Sequence, residues 1–251
     1  MLDVHPAHHA ATTWKEFFVH IATIVLGLLI ALGLEQMVEV VHNRREVAEV
    51  RHELSDERET NRRALAKDAT YWRWETVELK NNLMVLTYLR THPGMQDERL
   101  PGSLIWSYVR EPHSEAAWEA AKTSGATRLM SREEIEQNED AYNKLRQVDD
   151  AYGAVWEALS DASKYQFTDS RLSNLTPQQI AESITLTEAA LNKHWLAGVA
   201  LENLAAKYKD YYPSITADEL SEAHNRKPFD TEAHNPAFAA TLSQMKSAGF
   251  P

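Results

Sequence analysis

The sequence of 251 residues contains no cysteine. Disulfide bonds, thiolate nucleophiles and cysteine-based zinc sites are therefore all excluded. The absence of cysteine does not decide the compartment, because a domain of this size also folds without disulfides outside the cytoplasm.

Glycine is also scarce, with eight residues scattered along the chain. They form no phosphate-binding loop, and the sequence has neither a Gly-x-Ser-x-Gly nucleophile elbow nor a His-Glu-x-x-His zinc helix. We therefore predict no catalytic residue, no cofactor and no metal site, and we do not expect an enzyme.

Positive charge is in deficit, since 26 Lys and Arg stand against 37 Asp and Glu, for a net charge of −11. Binding to nucleic acid requires a basic face that displaces counterions from the phosphates. Nucleic acid is therefore not an expected partner.

What the chain does contain is one nearly unbroken apolar run from Phe17 to Leu34. A helix of this length extends about 27 Å, close to the hydrocarbon thickness of a bilayer. We predict a short polar segment over residues 1–16 and a transmembrane anchor over residues 17–41. The alternatives are a cleaved signal peptide and a buried helix of a soluble domain. The helical pattern EQMVEVVHNRREV continues past the run, which favours the anchor.

The charges beside the anchor bear on its orientation. Lys15 precedes the apolar run, whereas Arg44, Arg45 and Arg51 follow it. Because Lys and Arg are retained on the cytoplasmic side, this count favours a cytoplasmic C-terminal domain.

Small residues recur every four positions within the anchor, at Thr23, Gly27 and Ala31. This spacing places them on one helix face, where they allow two helix backbones to approach closely in lipid. We predict self-association through this face. The alternative is that the face contacts only lipid.

A charged helical stalk is predicted over residues 42–70, as a direct continuation of the anchor. Val40, Val47 and Leu54 are seven residues apart, with Val50 between them, which indicates a short coiled-coil seam. The seam ends where Asn61 and Asp68 occupy the next two positions.

The remainder is predicted to be all-α, with a helical bundle over residues 71–225 and a lightly ordered tail over residues 226–251. A first helix is expected over residues 71–91. Ser131 with Glu134, and Thr176 with Gln179, are capping patterns that open two long helices. A short loop between those helices favours an antiparallel hairpin.

Two Glu-x-x-His pairs, Glu39 with His42 and Glu49 with His52, have the spacing found in di-iron bundles. Both pairs lie on the same predicted helix, whereas such a metal site needs them on facing helices. We therefore interpret them as exposed surface.

Three segments resemble an uncharacterised family of bacterial single-pass membrane proteins: the anchor ending IALGLEQMVE, then AAWEAAKTSGATRLMS, then EEIEQNEDAYNKLRQVDD. The family has an Ile-Ala-Leu-Gln…Asn-Trp-Asn-Glu motif at the anchor and a Trp-x-x-Leu-x-x-Ser-Gly-like segment in a helical domain. The matching positions are Ile30, Ala31, Leu32, Gln36 and Glu39, then Trp118, Ser124, Gly125, Leu129 and Tyr142.

The resemblance covers residues 14–150 and lacks the family's asparagines and tryptophan after the anchor. It implies a bacterial inner-membrane protein with a helical domain and no known activity. Many members have a strongly basic N-terminus, which implies a periplasmic domain, whereas this chain has only Lys15 there.

Two classes of function remain from the sequence. The first is a membrane-anchored structural or interaction protein that self-associates and acts as a scaffold or accessory subunit, with the lipid bilayer, a second copy and other membrane proteins as partners. The second is a single-pass sensor or ligand-binding module that relays a signal across the membrane.

Overall fold

The computed structural model describes residues 14–168, 171–209, 212 and 215–224. Most of the predicted N-terminal segment and all of the predicted tail lie outside these residues. The described part is all-α and contains no β-strand, which confirms the predicted fold class. Its helices are α1 (Trp14–Thr91), α2 (Ala116–Ser124), α3 (Arg132–Thr168), α4 (Pro177–Lys207) and α5 (Ala217–His224).

Helix α1 is a single uninterrupted helix of 78 residues. At 1.5 Å rise per residue it is about 117 Å long. The sequence predicts separate helices on either side of residue 70, but the structure has no break there. No proline or glycine lies between Gly33 and Pro93, so nothing in the sequence interrupts the hydrogen-bond ladder.

The N-terminal part of α1 touches nothing else in the described structure. Residues 14–42 are all exposed, including large apolar side chains such as Phe18, Leu28 and Leu32. This part includes an 18-residue window with a mean hydropathy of 2.5, of which none is buried. It is long and apolar enough to cross a membrane.

The C-terminal part of α1 belongs to the bundle. Burial begins at Val47 and includes Leu54, Leu65 and Trp72. The segment predicted as a stalk therefore also forms one wall of the domain.

Helices α3 and α4 form the predicted antiparallel pair. Lys164 near the end of α3 bonds to Glu182 near the start of α4, at 2.5 Å. At the opposite end of the pair, the Tyr208 hydroxyl donates to Asp140 at 2.7 Å. Helix α4 packs directly on α1, whereas α3 reaches α1 through long side chains, as where the Tyr142 hydroxyl donates to Glu57 at 2.7 Å. The three helices surround one core that contains Trp72, Trp118 and other large side chains.

The capping signals in the sequence correctly predict several helix ends. Thr176 and Gln179 form a reciprocal capping box at the start of α4. Gly125 ends α2 in the left-handed conformation, with φ of 79°. At α3, the Ser131 hydroxyl accepts from the Glu134 N–H, but the Glu134 carboxylate bonds to Arg51 of α1 at 2.7 and 2.9 Å. The bidentate charged pair is the stronger interaction, and it ties α1 to α3.

Between α1 and α2 the chain returns along α1 without regular secondary structure from Ser103 to Glu115. This returning segment runs antiparallel to α1. Buried polar side chains of α1 bind the main chain of this segment.

Candidate functional site

A row of buried polar side chains on α1 holds the returning segment, and we call it the polar ladder. Four of its members are spaced seven residues apart, so they lie on one helix face. All are at most 9% exposed. The polar ladder comprises Glu57, Asn61, Asp68, Glu75, Glu78, Asn81 and Asn82.

Two asparagines of the ladder bond both main-chain groups of one residue. The Asn82 amide accepts from the Ile105 N–H at 2.9 Å and donates to the Ile105 carbonyl at 2.6 Å. Asn61 does the same with Ser114, at 2.8 Å for each bond. An amide side chain carries one acceptor and two donors. It can therefore bond both the N–H and the carbonyl of one residue, as a residue on a neighbouring antiparallel strand does.

Between Asn61 and Asn82, acidic side chains of the ladder accept hydrogen bonds from main-chain N–H groups. Glu75 accepts from the Val109 N–H at 3.0 Å, and Asp68 accepts from the Glu111 N–H at 2.9 Å. Glu78 accepts from the N–H and the hydroxyl of Ser107, at 3.3 and 3.1 Å. The main-chain N–H groups at 105, 107, 109 and 111 therefore all point at α1, which shows that the segment is extended.

The spacing of the ladder matches the geometry of an extended chain. Nine residues separate Ile105 from Ser114, and they span about 30 Å in extended conformation. Twenty-one residues separate Asn61 from Asn82, and they span about 31 Å in a helix. The two chains can therefore run side by side without loss of register.

Two acidic residues of the ladder, Glu75 and Glu78, are buried in surroundings that are unfavourable for negative charge. Burial raises the pKa of Glu75 well above its usual range. The hydrogen bond from the Val109 N–H opposes this rise, whereas the nearby Glu78 and Asp68 add to it. Burial likewise raises the pKa of Glu78 to about 7, despite its bonds from Ser107. Both side chains favour the protonated form more than an exposed glutamate does.

Buried His194 of α4 lies beside Glu75. Burial lowers its pKa to about 4, so the imidazole is neutral at neutral pH. Nε2 lies 2.9 Å from the Trp72 carbonyl, which only accepts, so Nε2 carries the proton. Nδ1 is then an acceptor, and it faces Glu75 Oε2 at 3.7 Å. A protonated Glu75 fits this arrangement, because two acceptors would otherwise face each other.

A second buried histidine links the returning segment to α3. The His113 side chain is fully buried between Asp149, with Nδ1 to Oδ1 at 2.7 Å, and Asp68, with Nε2 to Oδ2 at 3.3 Å. Arg110 also pairs with Asp149. These contacts join α1, the returning segment and α3 through charged groups.

The raised pKa of Glu78 gives the first testable prediction. The folded protein binds this proton more tightly than the unfolded chain does, so the stabilisation is complete below the ordinary pKa of 4.5 and is lost as the pH rises through about 7. Glu78→Gln imitates the neutral acid. We expect it to be more stable than the unmodified protein by about 1–3 kcal/mol at pH 8 and nearly equal at pH 5. Urea unfolding at both pH values measures this, and a difference that is the same at pH 5 and pH 8 would contradict it.

Two surface depressions lie beside these elements. A cleft of about 270 Å³ near the end of the domain from which the apolar part of α1 extends contains Arg51 and Arg58, which bond to Glu134 and Asn138. The second, which we call the aromatic groove, has a volume of about 580 Å³. Residues 104–109 form one wall of the groove, and α3 forms the other through Trp156, Leu159, Ser160 and Ser163.

The residues predicted for self-association occupy two different environments. In the anchor, Thr23, Gly27 and Ala31 are exposed on one face, and a side-chain atom added at Gly27 would meet nothing within 4 Å. The Thr23 hydroxyl donates to the Val19 carbonyl at 2.9 Å, so its donor is satisfied within the helix.

The four residues of the predicted seam are not equivalent. Val47 and Leu54 are buried at 7% and 3% exposure, and Val50 packs against the core of the same chain. Only Val40 is exposed, at 48%. The structure thus places three of the four within the domain.

Sequence reasoning missed the polar ladder. Its signal was present, since Asn61, Asp68, Glu75 and Asn82 continue the seven-residue spacing of Val40, Val47 and Leu54. One face of α1 changes from apolar to polar where it meets the returning segment instead of a helix. The interruption of the seam at Asn61 and Asp68 marks this change.

No protein-family model, curated protein or solved structure matches this chain. Function is therefore inferred from three features of the molecule itself: the exposed apolar helix, the polar ladder and the aromatic groove. Among the described residues, no group of His, Asp and Glu side chains is arranged to hold a metal ion.

Proposed function

We propose that this protein is a single-pass membrane protein of the bacterial inner membrane whose helical domain serves as an interaction platform, either as a scaffold or as an accessory subunit of a membrane assembly. The observation that supports this most directly is the continuity of α1. One helix carries an exposed apolar segment at one end and the core of the domain at the other. Exposed leucines and phenylalanines in such a run require lipid around them.

Membrane insertion and orientation can be tested together because the chain has no cysteine. A single cysteine introduced by Asn192→Cys, at an exposed position on α4, reports the side of the domain. We expect the protein to remain in the membrane after alkaline extraction. A membrane-impermeant maleimide is expected to label the Asn192→Cys variant only after the membrane is opened, as the arginine count predicts for a cytoplasmic domain. Labelling of intact cells from the periplasmic side would instead match the family resemblance.

The role as an assembly component is tested by the composition and mass of the complex extracted in mild detergent from the native membrane. A homo-oligomer, or stoichiometric foreign subunits, would each agree with the platform. A monomer that is recovered without any partner would contradict it.

Self-association through the anchor gives a second prediction. Gly27→Leu places a bulky side chain on the small-residue face, so we expect weaker self-association. Gly33→Leu is the matched control, because it makes the same change about 120° around the helix from Gly27. Oligomer mass in detergent is expected to fall for Gly27→Leu and to stay unchanged for Gly33→Leu. An unchanged mass in both variants would remove this face from the proposal.

A sensor is the second candidate function. The polar ladder lies on the same helix that continues into the anchor, so a change in the returning segment would act directly on that helix. A ligand in such a sensor would raise the melting temperature of the full-length protein, because binding to the native state stabilises it.

A further inference from the structure

The returning segment has a second edge, which α1 does not use. The N–H groups of Ile105, Ser107 and Val109 point at the polar ladder. In an extended chain the alternate residues direct their main-chain groups the opposite way. The N–H groups of Trp106 and Tyr108 therefore point away from α1, and neither donates to any group in the described part of the chain. The Leu104 carbonyl on this side accepts from the Gln166 side chain of α3 at 3.5 Å, so the free edge consists of the N–H groups of Trp106 and Tyr108. These two groups are placed like those of an edge strand of a sheet.

The aromatic groove follows this free edge. All six consecutive residues from 104 to 109 line it, as expected of a groove that runs along the backbone. The opposite wall includes Trp156, which is 56% exposed, and its ring lies 5.2 Å from that of Tyr108. The indole N–H of Trp106 is buried and has no acceptor among the described residues. The groove thus combines the apolar rings of Tyr108 and Trp156 with the unused main-chain N–H groups of Trp106 and Tyr108.

The sequence of the edge is unusual for a free edge. Residues 104–109 read LIWSYV, which is rich in aromatic and β-branched residues and contains neither charge nor proline. Proteins usually protect exposed edges with lysine, proline or a bulge, because an open edge pairs with other extended chains. An edge without this protection, placed in a groove, fits a binding surface.

We propose that the aromatic groove binds an extended segment of a partner protein, which adds as a strand along the free edge at Trp106 and Tyr108. An extended peptide satisfies the outward main-chain groups, and its alternate side chains reach the rings of Tyr108 and Trp156. This inference rests on the proposed function, because the groove would be the surface at which the interaction platform binds a partner.

The test uses the full-length protein in lipid nanodiscs and a random twelve-residue peptide library displayed on phage, with empty nanodiscs for subtraction. Enriched peptides are synthesised in two forms, one unmodified and one N-methylated at alternate amides, which removes main-chain donors and keeps the side chains. We expect apolar residues at alternate positions of the enriched peptides. N-methylation can be placed at the odd or at the even amides, and we expect one of these two patterns to lower the affinity at least about tenfold.

Two variants of the protein locate the binding. Trp156→Ala removes an exposed ring from the groove, and we expect at least about a fivefold loss of affinity. Leu196→Ala is the matched control, because Leu196 is an exposed apolar residue of α4 at 42% that does not line the groove. Thermal unfolding of both variants verifies that each is folded.

Each of four results would overturn the inference: no enriched peptide, binding that tolerates N-methylation in both patterns, binding unaffected by Trp156→Ala, or a fall in oligomer mass in that variant. The last would show that a second copy occupies the groove. A protein that binds no peptide but is recovered with foreign subunits loses the groove and keeps the proposed platform. Peptide binding by a protein that is recovered as a monomer without partners would support the groove and contradict the proposed platform.

Discussion

Gly198→Ala is expected to lower the stability of the domain by about 2–3 kcal/mol, although alanine is the better helix former. A Cβ atom at Gly198 of α4 would lie 2.6 Å from two carbons of the Trp72 ring and 2.8 Å from its Nε1. The ring cannot move aside easily. Its N–H donates to the His194 carbonyl at 2.8 Å, and its face stacks on the His194 imidazole at 5.3 Å.

Gly153→Ala is the matched control, since Gly153 lies within α3 and an added Cβ would meet nothing within 4 Å. Alanine there is expected to stabilise the protein by about 0.5–1 kcal/mol. Tryptophan fluorescence during thermal unfolding measures both. For a domain of this size we expect the melting temperature to fall by about 5–10 °C in one variant and to rise by a few degrees in the other. A rise in both would mean that α1 and α4 do not approach so closely.

Asn82→Ala is expected to destabilise the domain by about 2–4 kcal/mol. The change removes both hydrogen bonds to Ile105 and leaves its N–H and its carbonyl without partners beside a fully buried position. Asn82→Asp keeps the size and the acceptor but places a carboxylate against the Ile105 carbonyl. We expect a similar loss, which would show that the donor of the amide is required.

Asn192→Ala is the control for these two variants, because Asn192 is exposed on α4. It is expected to change stability by less than about 0.5 kcal/mol. Chemical unfolding at constant pH measures all three. If Asn82→Ala were as mild as Asn192→Ala, the polar ladder would not be what holds the returning segment.

Local signals in the sequence were sufficient for the starts of α3 and α4. Thr216 and Glu219 open α5 in the same way that Thr176 and Gln179 open α4, and Glu219 also bonds to Arg73 of α1. Such caps depend on residues three positions apart, so the sequence alone shows them. The apolar run of the anchor is equally local.

The polar ladder could not be predicted in the same way, because its partner is the backbone of a distant segment. A buried asparagine or glutamate on a helix is compatible with several partners, and the sequence does not show which one is present. The close approach at Gly198 has the same origin. A glycine in a helix does not identify the residue that packs against it. In this chain that residue is Trp72, which lies 126 positions earlier.

Because α1 is uninterrupted, a tilt of its N-terminal apolar part would be carried to its far end. A crossing point at Gly27 is 64 residues from Thr91, or about 96 Å along the axis. If two copies crossed at about 40°, as small-residue contacts in lipid favour, the far ends of straight helices would be roughly 65 Å apart. At about 20° the separation would be roughly 35 Å. A change of about 20° in the crossing angle would therefore decide whether two domains lie closer together or stand roughly 30 Å further apart, with both aromatic grooves accessible.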